Sequence, residues 1–144
     1  TKKLKNMYPE EIVIPMKEEL TENGFTEMLT ANDVEAAIND EGTTLVVINS
    51  VCGCSAGTAR PGVLMAVHNS AKKPTHLNTS FAGFDVEAVK KLREHLLPYP
   101  PSSPSIALFK NGQLVHFIER HNIEGRSAQM IAENLIGAFE QHCN

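Results

Sequence analysis

The stretch Thr43–Asn49 reads Thr-Thr-Leu-Val-Val-Ile-Asn, and its unbroken apolar, β-branched interior restricts the fold more than any other feature of the chain. A strand with one wetted face alternates apolar and polar residues, whereas a strand apolar at successive positions needs cover on both faces. The chain therefore requires a central strand inside a sheet that carries helices on either side.

Helical spacing supplies those covers. Ile12, Val13, Met16 and Leu20 recur at helical intervals, with Pro15 opening or kinking the element and Asn23-Gly24 closing it. Thr30 and Asp33 form a capping-box pattern ahead of Val34, Ala37 and Ile38, which gives a second helix ending near Gly42. Beyond the central strand, Val63, Leu64 and Val67 mark a helix that starts at a pair of cysteines and runs to about Asn69, and Pro61-Gly62 predicts a bend in its early turns. Residues 76–82 alternate as a strand, and Asp85 caps a helix carrying Val86, Val89, Leu92 and Leu96. Two apolar stretches, 106–109 and 114–118, flank Asn111-Gly112 in the pattern of a two-residue hairpin. Ser127 caps a last helix with Ile131, Leu135, Ala138 and Phe139 on its buried stripe, reaching His142.

Helical crossovers make the early strands parallel and the hairpin makes the last pair antiparallel. The expectation is an α/β protein with a central, mixed four-stranded sheet flanked by helices, an order that matches a thioredoxin-like fold. At 144 residues the expected organisation is a single thioredoxin-like domain over 1–144, with an N-terminal helical extension over 1–42 and the core over 43–142. A net charge of −4 with scattered Lys and Arg offers a phosphate backbone little to hold, which argues against nucleic acid as a partner. No apolar run approaches the roughly 20 residues that span a bilayer, and Thr1-Lys2-Lys3-Leu4 lacks a signal peptide's apolar core, so the expected compartment is the cytoplasm, with no membrane partner.

Three cysteines are too few for a secreted disulfide framework, and two of them, Cys52 and Cys54, follow the central strand directly. In such a sheet, chemistry concentrates where a strand's carboxyl end meets the next helix. A thiol there faces unpaired backbone N–H groups and the positive end of the helix dipole, and both favour the thiolate. A Cys-X-Cys disulfide closes a small ring around one residue, which Gly53 accepts best; the strained ring is expected to be more oxidising than an unstrained Cys-X-X-Cys. The competing reading is a tetrahedral metal site built from Cys52, Cys54, Cys143 and a histidine, although two thiolates one residue apart chelate a single zinc poorly. Cys143, at the end of the last helix, reads as a packing residue.

Other residues complete the candidate site. Pro104, between Ser103 and Ser105 and just ahead of a core strand, is expected to be cis, exposing the Ser103 backbone to an incoming extended chain. Arg60 either faces the cysteines and supports a thiolate or is a solvated charge. His116 and His121 read as satisfied surface or core residues.

Val47-Ile48-Asn49-Ser50-Val51-Cys52-Gly53-Cys54, followed by Ala56-Gly57 and Ala59-Arg60-Pro61, resembles the active-site stretch of the bacilliredoxins. Pro15-Met16, Glu41-Gly42-Thr43-Thr44-Leu45, Phe81-Ala82-Gly83, Pro101-Ser102-Ser103-Pro104-Ser105, Val115-His116-Phe117-Ile118 and Arg120-His121 are similar too, so the resemblance covers nearly the whole chain. It implies a thioredoxin-like fold, a cytoplasmic location in bacteria, and a thiol–disulfide oxidoreductase that removes bacillithiol from mixed disulfides on oxidised proteins, with disulfide isomerase activity in relatives. It also implies that Cys52 is the attacking thiolate, that Cys54 is the resolving thiol, and that neither metal nor organic cofactor is required. The alternative is a non-enzymatic module in which Cys52 and Cys54 act as a redox switch or metal clip for a binding partner.

Overall fold

Thr43–Asn49 is buried at every position, and the rest of the fold is arranged around it. In the computed structural model, which describes residues 7–144, the first half of the chain runs α1 (Glu10–Thr21), β1 (Thr26–Glu27), α2 (Ala31–Ile38) and β2 (Thr43–Asn49). A π-helical turn (Ser55–Ala59) then leads into α3 (Arg60–Asn69), followed by β3 (His76–Phe81) and α4 (Val86–His95). The chain closes with β4 (Ser105–Lys110), β5 (Gln113–Ile118), α5 (Arg120–Ile123) and α6 (Ala128–His142). No helix among the described residues is long and apolar enough to cross a membrane.

The strands form one sheet in the order β1-β3-β2-β4-β5. β1 and β2 pair parallel with β3, and β4 pairs antiparallel with β2 and β5, so the sheet is mixed as expected. It has five strands instead of four because the two-residue β1 lies along β3, with Thr26 opposite Asn78 and Glu27 opposite Thr79. Two residues are too few to show alternation, so composition could not reveal this edge strand.

The apolar run of β2 is explained by its two faces. Leu45 and Val47, with Ile106 and Leu108 of β4, join a core closed by residues of α3 and α6 and by Leu20 of α1. Val46 and Ile48, with Ala107 and Phe109, join a second core closed by α2 and α4. Neighbouring residues along one strand thus serve opposite layers.

The local signals mostly act as their chemistry dictates. Thr30 and Asp33 form the capping box of α2, and Ser127 Oγ accepts the Met130 N–H at the start of α6. Asn111 and Gly112 both take positive φ, at 49° and 85°, as a two-residue hairpin turn requires. Asp85 departs from expectation, since its carboxylate makes no cap. Oδ2 accepts Phe81 N–H at 2.8 Å and Oδ1 takes Lys17 Nζ at 2.9 Å, so the group joins α1 to the end of β3.

The irregularity expected at Pro61-Gly62 falls one turn earlier. Pro61 has no N–H for the carbonyl of Gly57, and its ring would crowd that oxygen; widening the preceding turn, where Arg60 N–H donates to Ser55 O, relieves both. Gly62 has a separate reason to be glycine, because a Cβ there would lie 2.8 Å from Ile131 Cβ and 2.9 Å from Ala128 O of α6. At Gly137 on α6, a Cβ would meet nothing within 4 Å. Gly62→Ala is therefore expected to destabilise the protein by about 1–3 kcal/mol through overpacking, and Gly137→Ala to stabilise it by about 0.5–1 kcal/mol through helix propensity. Urea midpoints that moved in the same direction for both variants would contradict this packing.

Candidate active site

At its carboxyl end β2 delivers Asn49, whose amide oxygen anchors the turn that follows. Asn49 Oδ1 accepts from Ser50 N at 2.8 Å, Ser55 Oγ at 3.0 Å and Arg60 Nη1 at 2.9 Å. Arg60 Nη1 also donates to Ser50 O and Ser55 Oγ, each at 3.0 Å. On the other side Asn49 Nδ2 donates to Met16 O at 3.1 Å, and Arg60 Nε lies 3.1 Å from Glu19 Oε1 in an ion pair too bent to count as a hydrogen bond. Asn49 and Arg60 are only 1% and 2% exposed. Arg60 is thus not a solvated charge; it is a buried bolt between the turn, α3 and α1.

That bolt positions Cys52. Ser50 Oγ accepts Cys52 N–H at 3.0 Å, and Cys52 O accepts from Ser55 N at 2.9 Å and Ala56 N at 3.3 Å. Cys52 and Cys54 are half-buried, unlinked and 2.7 Å apart at Sγ. Their ionisation is split. Burial opposes the Cys52 thiolate but is outweighed by the Cys54 side chain and N–H, the Arg120 charge and the Ser55 N–H, so the Cys52 pKa falls below the usual thiol value. Cys54 moves the other way, since burial, the Cys52 side chain and the Cys52 charge push it up to about 11, Arg120 opposing and Glu124 assisting.

The hairpin brings the remaining groups to this end of the sheet. Ile48 pairs with Ser105, so the residues before it, Pro104 and Ser103, continue to the level of Asn49 and Ser50. The Ser103-Pro104 peptide is cis, as expected, and so is Leu97-Pro98. Ile106 pairs with Ile118, and Arg120, two residues on, meets the same loop. Its backbone N–H donates to Ser102 Oγ at 3.4 Å and its Nη1 to Ser103 O at 3.3 Å, while Nε binds Glu124 Oε1 at 2.6 Å. The Ser103 carbonyl, expected to be open to an incoming chain, already carries Arg120.

Arg120 is the charge beside the cysteines that reasoning from residue types alone passed over. The signal was present in the hairpin: a two-residue turn at Asn111-Gly112 fixes which residues return beside Pro104. Gly53 is exposed, outside the positive-φ region and without a neighbour within 4 Å of a built Cβ, so the dithiol itself does not demand glycine there. Cys143 packs in the core against α3 and α6, and burial raises its pKa, opposed by the Thr43 side chain and the Lys110 charge. Thr43 and Asn49 begin and end β2, a run of about 20 Å at about 3.3 Å per residue, so Cys143 does not converge with Cys52 and Cys54 on one metal. No cluster of three metal-ligating side chains occurs among the described residues. His116 pairs with Asn134 Oδ1 at 2.7 Å.

A family model described as disulphide isomerase matches residues 8–143. A bacilliredoxin of Cytophaga hutchinsonii is 61% identical over 135 residues, covering 94% of this chain and 99% of the relative. One of Bacillus licheniformis is 52% identical over 137 residues, covering 94% and 95%. Among solved structures, the oxidised thioredoxin from Plasmodium falciparum superimposes with a TM-score of 0.57 at 14% identity, over 81% of this chain and 98% of that one. Thioredoxin O2 from Arabidopsis thaliana gives a TM-score of 0.54 at 16% identity, over 85% and 97%. These structural likenesses establish the thioredoxin fold.

Two measurements check the site. Cys54→Ala removes a hydrogen bond that lowers the Cys52 pKa, so the pH profile of Cys52 alkylation by iodoacetamide should move to higher pH and the rate at pH 7 should drop. An unmoved profile would mean that Cys54 does not stabilise the thiolate. Arg60→Met strips buried acceptors of their donor and should cost about 3 kcal/mol or more in urea unfolding; a loss below about 0.5 kcal/mol would remove its role as a bolt.

Proposed function

Because the chain belongs to the bacilliredoxin family and is a thiol–disulfide oxidoreductase, we propose that Cys52 and Cys54 are its catalytic residues and that Cys52 strikes first. The Cys52 thiolate attacks the small-thiol sulfur of a protein mixed disulfide. A new S–S bond joins Cys52 to the small thiol, the old one breaks, and the protein cysteine leaves as a thiolate that takes up a proton from water. The observation that carries this order is the divided ionisation of the pair, Cys52 lowered and Cys54 raised to about 11.

The second step follows from the same electrostatics. Once Cys52 is in a disulfide, its charge and its thiolate hydrogen bond are gone, and both had held Cys54 protonated. Cys54 then ionises more easily, attacks Cys52 Sγ, closes the Cys52–Cys54 disulfide and expels the small thiol as a thiolate. Two molecules of a low-molecular-weight thiol return the pair to the dithiol by successive exchange and leave joined as their own disulfide. Attack on a disulfide within a protein, followed by escape through another of that protein's thiols, gives isomerase activity by the same chemistry.

Bacillithiol is the small thiol we propose, on the strength of the family, and the bacterial cytoplasm is the compartment, where thiol pools keep such cysteines reduced. Gly53, Ser103 and Pro104 form the rim on which the substrate rests. No metal or organic cofactor takes part in these steps.

The decisive experiment offers one protein carrying bacillithiol, glutathione or cysteine in mixed disulfide and follows transfer by intact mass. Cys52→Ser should abolish transfer, and Cys54→Ala should accept the adduct on Cys52 and accumulate it. An adduct mapped to Cys54 would reverse the roles. Stoichiometric oxidation without turnover, even with reductant supplied, would favour a redox-switch module.

A further inference from the structure

The small thiols that decorate protein cysteines in this chemistry, bacillithiol, glutathione and cysteine, all carry carboxylates. Bringing such an anion up to a Cys52 thiolate sets two negative charges together at a partly buried site, and the chain has a net charge of −4. A fixed cation that meets the carboxylate as the sulfurs approach offsets this repulsion.

Arg120 is placed for this. The hairpin register brings it beside Pro104, at the end of the sheet where Cys52 and Cys54 emerge. Its side chain is 45% exposed, and Glu124 Oε1 takes Nε at 2.6 Å, which fixes the plane of the guanidinium. Of the Nη groups, Nη1 makes only a long bond of 3.3 Å, to Ser103 O. A forked donor face held by a short bond on one side and a weak bond on the other can exchange the weak one for a carboxylate. Its charge also reaches both cysteines.

We propose that Arg120 is a specificity-determining residue whose Nη groups bind the carboxylate of the small thiol while its sulfur is under attack at Cys52. Binding draws Nη1 away from Ser103, which frees that carbonyl to accept an N–H from the protein segment being released. Glu124 tunes the site in the opposite sense, since it orients the guanidinium but also repels the incoming anion. The inference rests on Cys52 being the nucleophile, and its test separates the two.

Iodoacetate and iodoacetamide both alkylate a thiolate with loss of iodide and differ chiefly in charge. Their rate ratio is measured on the full chain at a pH where each variant's rate has levelled, so that ionisation of Cys52 drops out. Arg120→Met should lower the iodoacetate-to-iodoacetamide ratio about two- to fivefold, the range an exposed ion pair commands, and Arg120→Lys should retain most of it. Glu124→Gln should raise the ratio, and salt should compress every difference. In parallel, mixed disulfides of one protein with cysteine and with cysteamine, which lacks the carboxylate, should show a preference for cysteine that Arg120→Met abolishes. An unchanged ratio in folded Arg120→Met, with label on Cys52, overturns the inference alone. If that variant does not fold, an unchanged ratio in Glu124→Gln overturns it. Label on Cys54 overturns the nucleophile assignment on which it stands.

Discussion

One buried guanidinium holds together everything that makes the cysteines usable. Arg60 and the amide of Asn49 join the last residue of the central strand, the turn after it, the π-helical segment and α1 through bonds of 2.8–3.1 Å. Burying a cation in this way is costly unless it is paired and hydrogen-bonded, and here Nη1 converges on three oxygens, of Asn49, Ser50 and Ser55, while Nε faces the Glu19 carboxylate in an ion pair. A buried network with several oxygens sharing one donor nitrogen has few alternative arrangements, so the backbone of Cys52 inherits a defined place. Placement by main-chain atoms leaves the sulfur half in solvent, where a substrate can reach it.

The unequal behaviour of two identical side chains follows from that placement. Cys52 collects N–H groups and a cation; Cys54 collects burial and its neighbour's charge. In the proposed reaction the asymmetry reverses itself, because consuming the charge on one sulfur releases the other.

Much of this was legible in the residues, and the exceptions share a cause. The β2 run announced its two covered faces, Asn111-Gly112 its turn, Thr30 and Ser127 their helix starts, and Cys-Gly-Cys after a buried strand its place at the strand's end. What escaped depended on partners far along the chain. Asp85 was drawn off its cap by Lys17, 68 residues away, and Arg60 was drawn out of solvent by Asn49 and Ser50. β1 exists only because β3 offers an edge. Periodicity describes one element at a time, whereas these roles belong to pairs of elements.

The tight turn between β4 and β5 behaves as a ruler. Loops at the surface usually accept extra residues freely, but this one sets the count by which Arg120 comes back level with Pro104, and the register already absorbs one irregularity between Leu108 and Phe109. One added residue would slide the returning strand by a step and turn its faces over, swinging the guanidinium away from the sulfurs without altering any residue near them. Length at the opposite end of the molecule therefore decides which side chain stands beside the cysteines.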